Sequence, residues 1–203
     1  MKKRILSIAA IAMLSVSVNA ADIRPIISAE VGYESGTVDE DYSAPGYRSK
    51  SDSNDYTGAS FRISGGILIP HSGLESKIQL YAAGASGEVE YDDDSNQDID
   101  SSEVGISYDL LFGENKLRPF IGVEVGSGTS DFKDTKFDDV DYTAYGVYAG
   151  IVYAISDNLD FTARAGYKER DYDDISYTTS GVTITDEIDY SGAEVAIGLT
   201  YKF

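Results

Sequence analysis

An all-β fold is predicted: an eight-stranded antiparallel up-and-down barrel that crosses a membrane. Three observations in the sequence predict it. Eight stretches alternate apolar side chains with small or polar ones, the period of a strand with one dry flank. The connections between these stretches are short and long in strict alternation. The chain also finishes on such a stretch, where a soluble domain would leave a pairing edge exposed and a closed barrel leaves none.

The first twenty residues stand apart. Met1-Lys2-Lys3-Arg4 is basic, Ile5 to Val18 is mostly apolar, and Val18-Asn19-Ala20 offers small residues for cleavage. Residues 1–20 therefore read as a secretory signal peptide and residues 21–203 as the barrel domain. The apolar run is too short, and too interrupted by serine, for a spanning helix. No later stretch is apolar for long enough either, so a membrane crossing would need a barrel.

Composition narrows the partners. The chain of 203 residues carries 35 acidic and 16 basic side chains, a formal charge of -19. Loss of Lys2, Lys3 and Arg4 with the leader takes that -19, less three cations, to about -22. Phosphate recognition needs clustered Lys and Arg, so nucleic acid is excluded as a partner. Cysteine is absent, which rules out disulfides without arguing against export. The 20 Gly and 16 Tyr suit closely packed strands that meet an interface.

In order, the first strand is expected over Pro25 to Gly36, with Ile27, Ala29, Val31 and Tyr33 on one flank. A polar stretch holding Asp39, Glu40, Asp41, Pro45-Gly46 and Asp52 to Asp55 reads as a long loop. Tyr56 to Ile69 follows, with Ala59, Phe61, Ile63, Ile67 and Ile69 outward, and Pro70-His71-Ser72-Gly73 turns the chain. Leu74 to Tyr91 puts Ile78, Leu80 and Ala82 outward and Lys77, Gln79 and Tyr81 inward. After an acidic loop with Asp92, Asp93 and Asp94 comes Ser102 to Phe112, and Gly113 to Lys116 is tight. Leu117 to Gly128, an Asp-rich loop from Asp131 to Asp141, and Tyr142 to Ile155 continue the alternation. Ser156-Asp157-Asn158 turns into Leu159 to Arg170, with Asp160, Arg164 and Lys168 inward. A fourth loop, roughly Asp171 to Asp186, precedes the closing strand. Turn centres near His71, Glu114 and Asp157 fall about 43 residues apart, one hairpin repeat.

One flank of these strands is aliphatic; the other holds Glu30, Arg62, Gln79, Glu103, Glu124, Arg164 and Glu194 among Gly, Ser and Ala. Eight strands enclose a bore barely wide enough for side chains. Small residues with a few long charged ones fit inside it, leaving the aliphatic flank for lipid. Aromatics bound that flank at both ends: Phe112, Phe161, Tyr201 and Phe203 near the short turns, Tyr33 and Tyr167 toward the loops. Such belts mark membrane interfaces.

The closing residues Val195, Ile197, Leu199, Tyr201 and Phe203 resemble the C-terminal insertion signal of bacterial outer-membrane β-barrels. Together with the hairpin spacing, the pattern over almost the whole mature chain resembles the small eight-stranded outer-membrane barrels of the OmpA/OmpX and opacity-protein kind. The resemblance implies the outer membrane of a Gram-negative bacterium, short turns toward the periplasm, and long loops toward the outside. It also implies membrane lipid, lipopolysaccharide and, during insertion, the barrel assembly machinery as partners.

Buried charges must pair, so Glu30, Arg62, Glu103, Glu124, Arg164 and Glu194 are expected to form an internal network that plugs the bore. A gated water path is the alternative reading of the same residues, and would make the protein a narrow pore. Barrel enzymes that modify lipid A need a histidine near the outer leaflet. The single histidine, His71, is expected as a solvated residue of a short turn at the opposite end, and no Gly-x-Ser-x-Gly elbow is present. Catalysis and cofactors are accordingly not expected. Asp92, Asp93, Asp94, Asp138, Asp139, Asp173 and Asp174 are weak candidates for metal ligands, since they supply hard oxygens without the spacing of a calcium loop. The expected role is structural or adhesion-like, exerted on an unidentified surface ligand through acidic extracellular loops.

Overall fold

Strands form wherever the two-residue alternation persists, and it persists well beyond the aliphatic residues. The computed structural model describes residues 23–44, 49–91, 95–133, 139–179 and 182–203. Within them lie β1 (Arg24–Ser43), β2 (Lys50–His71), β3 (Leu74–Glu90), β4 (Asn96–Phe112), β5 (Leu117–Phe132), β6 (Val140–Ala154), β7 (Leu159–Tyr172), β8 (Ile175–Thr179) and β9 (Val182–Lys202). The expected signal peptide, Asp92, Asp93, Asp94 and Asp138 fall outside the described residues.

All pairings are antiparallel between chain neighbours, apart from the step that skips β8 to join β7 to β9, and β9 pairs with β1 to close the ring. Closure runs from Ile26 opposite Lys202 to Ser43 opposite Thr185. β8 adds a ninth strand but not a ninth stave. Asp171 lies opposite Asp189, and Ile175 opposite Asp186, so three residues of one strand face two of the other. That is a β-bulge, and β8 continues β7 past it along the same edge of β9. The ring thus has eight long strands. At the hairpins, Gly73 and Gly113 adopt φ of 76° and 86°, the left-handed region that a side chain disfavours.

Above the membrane the strands are longer than the sequence reading placed them. β1 runs to Ser43 rather than Gly36, β2 starts at Lys50, β4 at Asn96, and the expected fourth loop is largely β8 and β9. β1 and β2 have 20 and 22 residues, about twice the 9–11 that cross a bilayer. In this upper part the polarity of the wall inverts. Val38, Tyr56, Val89, Ile99, Phe132, Val140, Ile188 and Tyr190 point inward as one apolar cluster, with Tyr56 and Tyr190 edge to face at 5.2 Å. The Asp-rich flank that suggested loops is the wet outer face of a β-wall.

Lower down, the apolar side chains face out. Val31 is 59% exposed, Leu80 69% and Ile197 53%, while Arg62, Glu124 and Arg164 are buried. Ile69 departs from its expected outward exposure: it pairs with Ser76, which His71 and Tyr108 cover through hydrogen bonds, and is buried with it. Inward rings sit over glycines of the wall. A Cβ at Gly122 would collide with Tyr148, and one at Gly150 with Phe120. Among the described residues no helix is long and apolar enough to cross a membrane.

Leu199→Arg, in the middle of the closing strand's outward row, is expected to cost about 2–4 kcal/mol in reversible unfolding from lipid vesicles. Glu187→Arg, on the outer face of the same strand above the membrane, should stay within about 0.5 kcal/mol of the parent.

Candidate functional site

Inside the lower part of the barrel, the inner flanks of the eight long strands carry most of the buried charge. Its central part gathers four cations and five carboxylates. Arg62 lies 2.7 Å from Glu124, and Arg164 lies 2.9 Å from Glu30, 2.5 Å from Glu194 and 3.8 Å from Glu124. Lys168 reaches Glu103 at 2.9 Å and Glu124 at 3.6 Å, and Arg170 reaches Glu34 at 2.7 Å. Tyr81 donates to Glu103 at 2.7 Å, and the Arg62 guanidinium stacks 4.0 Å above the Tyr81 ring. The six residues named from the sequence, Glu30, Arg62, Glu103, Glu124, Arg164 and Glu194, thus lie in one group joined by Glu34, Lys168 and Arg170.

A second group lies near the short turns. Lys77 pairs with Asp109 at 2.6 Å, Arg118 with Glu75 and, at 3.0 Å, with Asp160, and Lys202 with Asp160 at 2.7 Å. Phe120 and Tyr148, edge to face at 6.1 Å, touch both groups: Tyr148 donates to Asp109 at 2.5 Å, and Arg164 stacks on Tyr148 at 4.7 Å. Sequence reasoning missed this group. Its signal was available, since Lys77 and Asp160 share the inner parity, and Arg118 and Lys202 follow by the same alternation.

The bore is filled. A cavity beside the central group, lined by Glu34, Arg164 and Arg170 among others, measures about 20 Å³, and one beside Lys77 and Asp160 about 10 Å³. The first has room for about one water and the second for barely one. Above the central group the apolar cluster closes the column.

At the outer mouth the chemistry differs. Glu40 accepts a hydrogen bond from Tyr42; the single Tyr91 hydroxyl proton goes to Gln97 Oε1 at 2.6 Å, with Glu40 Oε1 3.4 Å from the same hydroxyl. Burial, with the Glu40 charge beside it, pushes the Asp186 carboxyl up to about 6. The remaining sequence candidates do not assemble. Asp139 is exposed before β6, and Asp173 and Asp174 are exposed in the β7–β8 bulge. Among the described residues no three His, Asp or Glu side chains come together to hold a metal ion.

His71 is not simply solvated. It is half-buried, with Nε2 3.2 Å from the Ser76 hydroxyl, which in turn lies 3.1 Å from the Tyr108 hydroxyl. The β-strand geometry turns the hairpin residue back over the outer wall.

The closing strand shows Val195, Ile197, Leu199, Tyr201 and Phe203 outward, each at least 45% exposed. Tyr201 and Phe203 meet edge to face at 5.1 Å. Between them Lys202 turns inward to Asp160, its backbone N–H donates to Asn158 at 2.8 Å, and the Phe203 N–H donates to Pro25 at 3.1 Å.

A closed antiparallel ring with a salt-bridged interior and an aliphatic exterior belt defines a small transmembrane β-barrel of the outer-membrane type. Comparison with solved structures gives the same fold. The outer membrane protein AlkL, solved in lipid bilayers, matches with a TM-score of 0.52 at 16% identity, over 93% of this chain and 93% of that one. Neisserial surface protein A is also similar, at 15% identity over 88% of this chain and 97% of that one with a TM-score of 0.43. So is the attachment invasion locus protein Ail of Yersinia pestis, at 13% identity over 88% and 98% with a TM-score of 0.31. No family model and no curated protein sequence matches the chain.

Arg164→Met removes the cation shared by Glu30, Glu194 and Glu124, and is expected to lower stability by about 3–5 kcal/mol. Adding Glu194→Gln should recover part of that loss, because one fewer carboxylate is left buried without a partner. Urea titration of both variants refolded into lipid vesicles measures the difference.

Proposed function

We propose that the protein serves at the outer surface of a Gram-negative outer membrane, in a structural or adhesion-like role, rather than as a conductor of solutes. The filled, ion-paired bore carries this reading. A conducting path would need wider space than eight strands enclose, and here the charges that could line one are bound to each other.

The strand extensions give the surface role its form. An apolar cluster stiffens the wall above the bilayer, so the outer face is a platform rather than a set of loose loops. That face carries Asp39, Asp41, Asp55, Glu88, Glu90 and Asp98 on neighbouring strands. A cationic surface ligand fits its charge, and lipopolysaccharide would meet it through bridging divalent ions. The outward row of the closing strand fits presentation to the barrel assembly machinery.

A non-catalytic role is part of this proposal. His71 has a hydroxyl partner in Ser76, but no carboxylate orients its ring among the described residues. The arrangement lacks the third member that makes a histidine an effective base.

Two measurements test the proposal. The purified barrel should be silent in planar bilayers, and steady conductance would contradict a filled bore. Outer-membrane vesicles displaying the protein should adsorb to surfaces coated with a basic protein, with adsorption weakening as salt rises. Neutralising Asp39, Asp41, Glu88 and Glu90 to their amides should reduce adsorption severalfold; unchanged adsorption would contradict an acidic recognition face.

A further inference from the structure

Carboxylates buried in this barrel follow one rule with two exceptions. Glu34, Glu103, Asp109, Glu124, Asp160 and Glu194 are all buried, and each lies within ion-pair distance of a Lys or Arg. Glu40, 8% exposed, and Asp186, 5% exposed, are buried to the same degree, yet neither forms an ion pair among the described residues. A buried carboxylate without a countercharge is costly, and two near each other are costlier.

The two belong to opposite sides of the seam that closes the ring. Glu40 lies opposite Ile188, and Tyr42 opposite Asp186, so the two carboxylates are diagonal neighbours on the inner flank of β1 and β9. Glu40 has its hydrogen bond from Tyr42, with the Tyr91 hydroxyl 3.4 Å away. On Asp186, Oδ1 is shielded from water and has no hydrogen-bond partner among the described residues. Lys50, which lies opposite Tyr42 on β2, pairs with Asp52 at 2.5 Å. An unpartnered carboxylate oxygen beside a second buried carboxylate asks for positive charge, and among the described residues no ion pair supplies it to either.

We propose that Glu40 and Asp186 form a calcium site that clips β9 to β1 above the membrane. The oxygen atoms gathered here fit a hard cation. Two carboxylates supply the charge, and the Gln97 amide oxygen and the two phenols supply neutral oxygens nearby. Calcium suits so mixed a set because it accepts six to eight oxygens in flexible geometry and completes its shell with water, whereas magnesium demands a regular octahedron. With only two charged ligands, affinity belongs in the extracellular range of about 10⁻⁴–10⁻³ M. Binding there opposes fraying of the β1–β9 pairing at its upper end. This goes beyond the surface role proposed above and holds or fails independently of any surface ligand.

The test uses the full-length mature protein folded in detergent micelles, with terbium as a luminescent stand-in and calcium as competitor. Tyr42 and Tyr91 lie beside the site and act as its antenna. Wild type should show tyrosine-excited terbium emission that calcium displaces, and should melt a few degrees higher in calcium than in chelator. Glu40→Gln with Asp186→Asn should lose both responses, the emission by about tenfold or more. Asp173→Asn with Asp174→Asn, which removes exposed acids nearby, should keep both. Wild type without either response, or the inner pair's substitution leaving them intact, overturns the site. Equal loss in the two double variants also overturns it, because diffuse acidic attraction would then explain the signal. Gel mobility before and after boiling reports whether each variant folds. Should the double variant not fold, Asp186→Asn alone decides: it should be more stable than wild type in chelator and lack the calcium response, and a retained response overturns the site.

Discussion

A charged side chain enclosed by eight strands has no bulk water to face, so its partner must come from another part of the wall. That constraint organises the barrel. Arg164, from β7, draws Glu30 from β1, Glu124 from β5 and Glu194 from β9 to one point. Arg62 from β2 and Lys168 from β7 share Glu124 with it. Residues far apart in sequence are held at the register in which these charges meet, and a slip by one residue would turn them into lipid. The network therefore selects the register as well as filling the bore.

The same wall solves two solvent problems along its length. Within the bilayer its outer flank must be apolar, and the inner flank takes the polar groups. Above the bilayer, water returns on the outside and the assignment reverses: Val38, Val89, Ile99 and Ile188 turn inward, while the acids turn out. The lower part is an inside-out barrel and the upper part resembles a soluble one. Because the inner charges nearly cancel, the acid excess of the described strands lies mostly on their outer face. The acid excess is thus a property of the outer face, where any partner is met.

How much of this was legible in the sequence depends on the solvent each segment meets. Where lipid lies outside, Ile197 and Leu199 against Ala196 and Gly198 leave little ambiguity about strand, parity or facing. Above the membrane, segments such as Asp39-Glu40-Asp41-Tyr42 still alternate in burial, but Glu40 is as polar as its neighbours. Composition there suggests loop, and only the pairing of β1 with β9 makes it strand. The central charges were legible as a set because their parity and sign were both visible. Partner choice was not, since it depends on how far each strand is staggered around the ring. The Glu40–Asp186 juxtaposition was invisible for the same reason: it crosses the seam between the two ends of the chain. The bulge before β8 also left no sequence mark beyond Asp173-Asp174, which reads equally as a turn.

The central claim is that hydrocarbon touches one flank of the closing strand while the other is sealed inside. Solid-state NMR of the native chain in lipid bilayers tests it without altering a residue, through magnetisation transfer from acyl-chain protons to side-chain methyl groups. Transfer should reach Val195, Ile197 and Leu199 and pass over Ala196 and Thr200. Strong transfer to Ala196 and Thr200, with none to Ile197 and Leu199, would contradict the account.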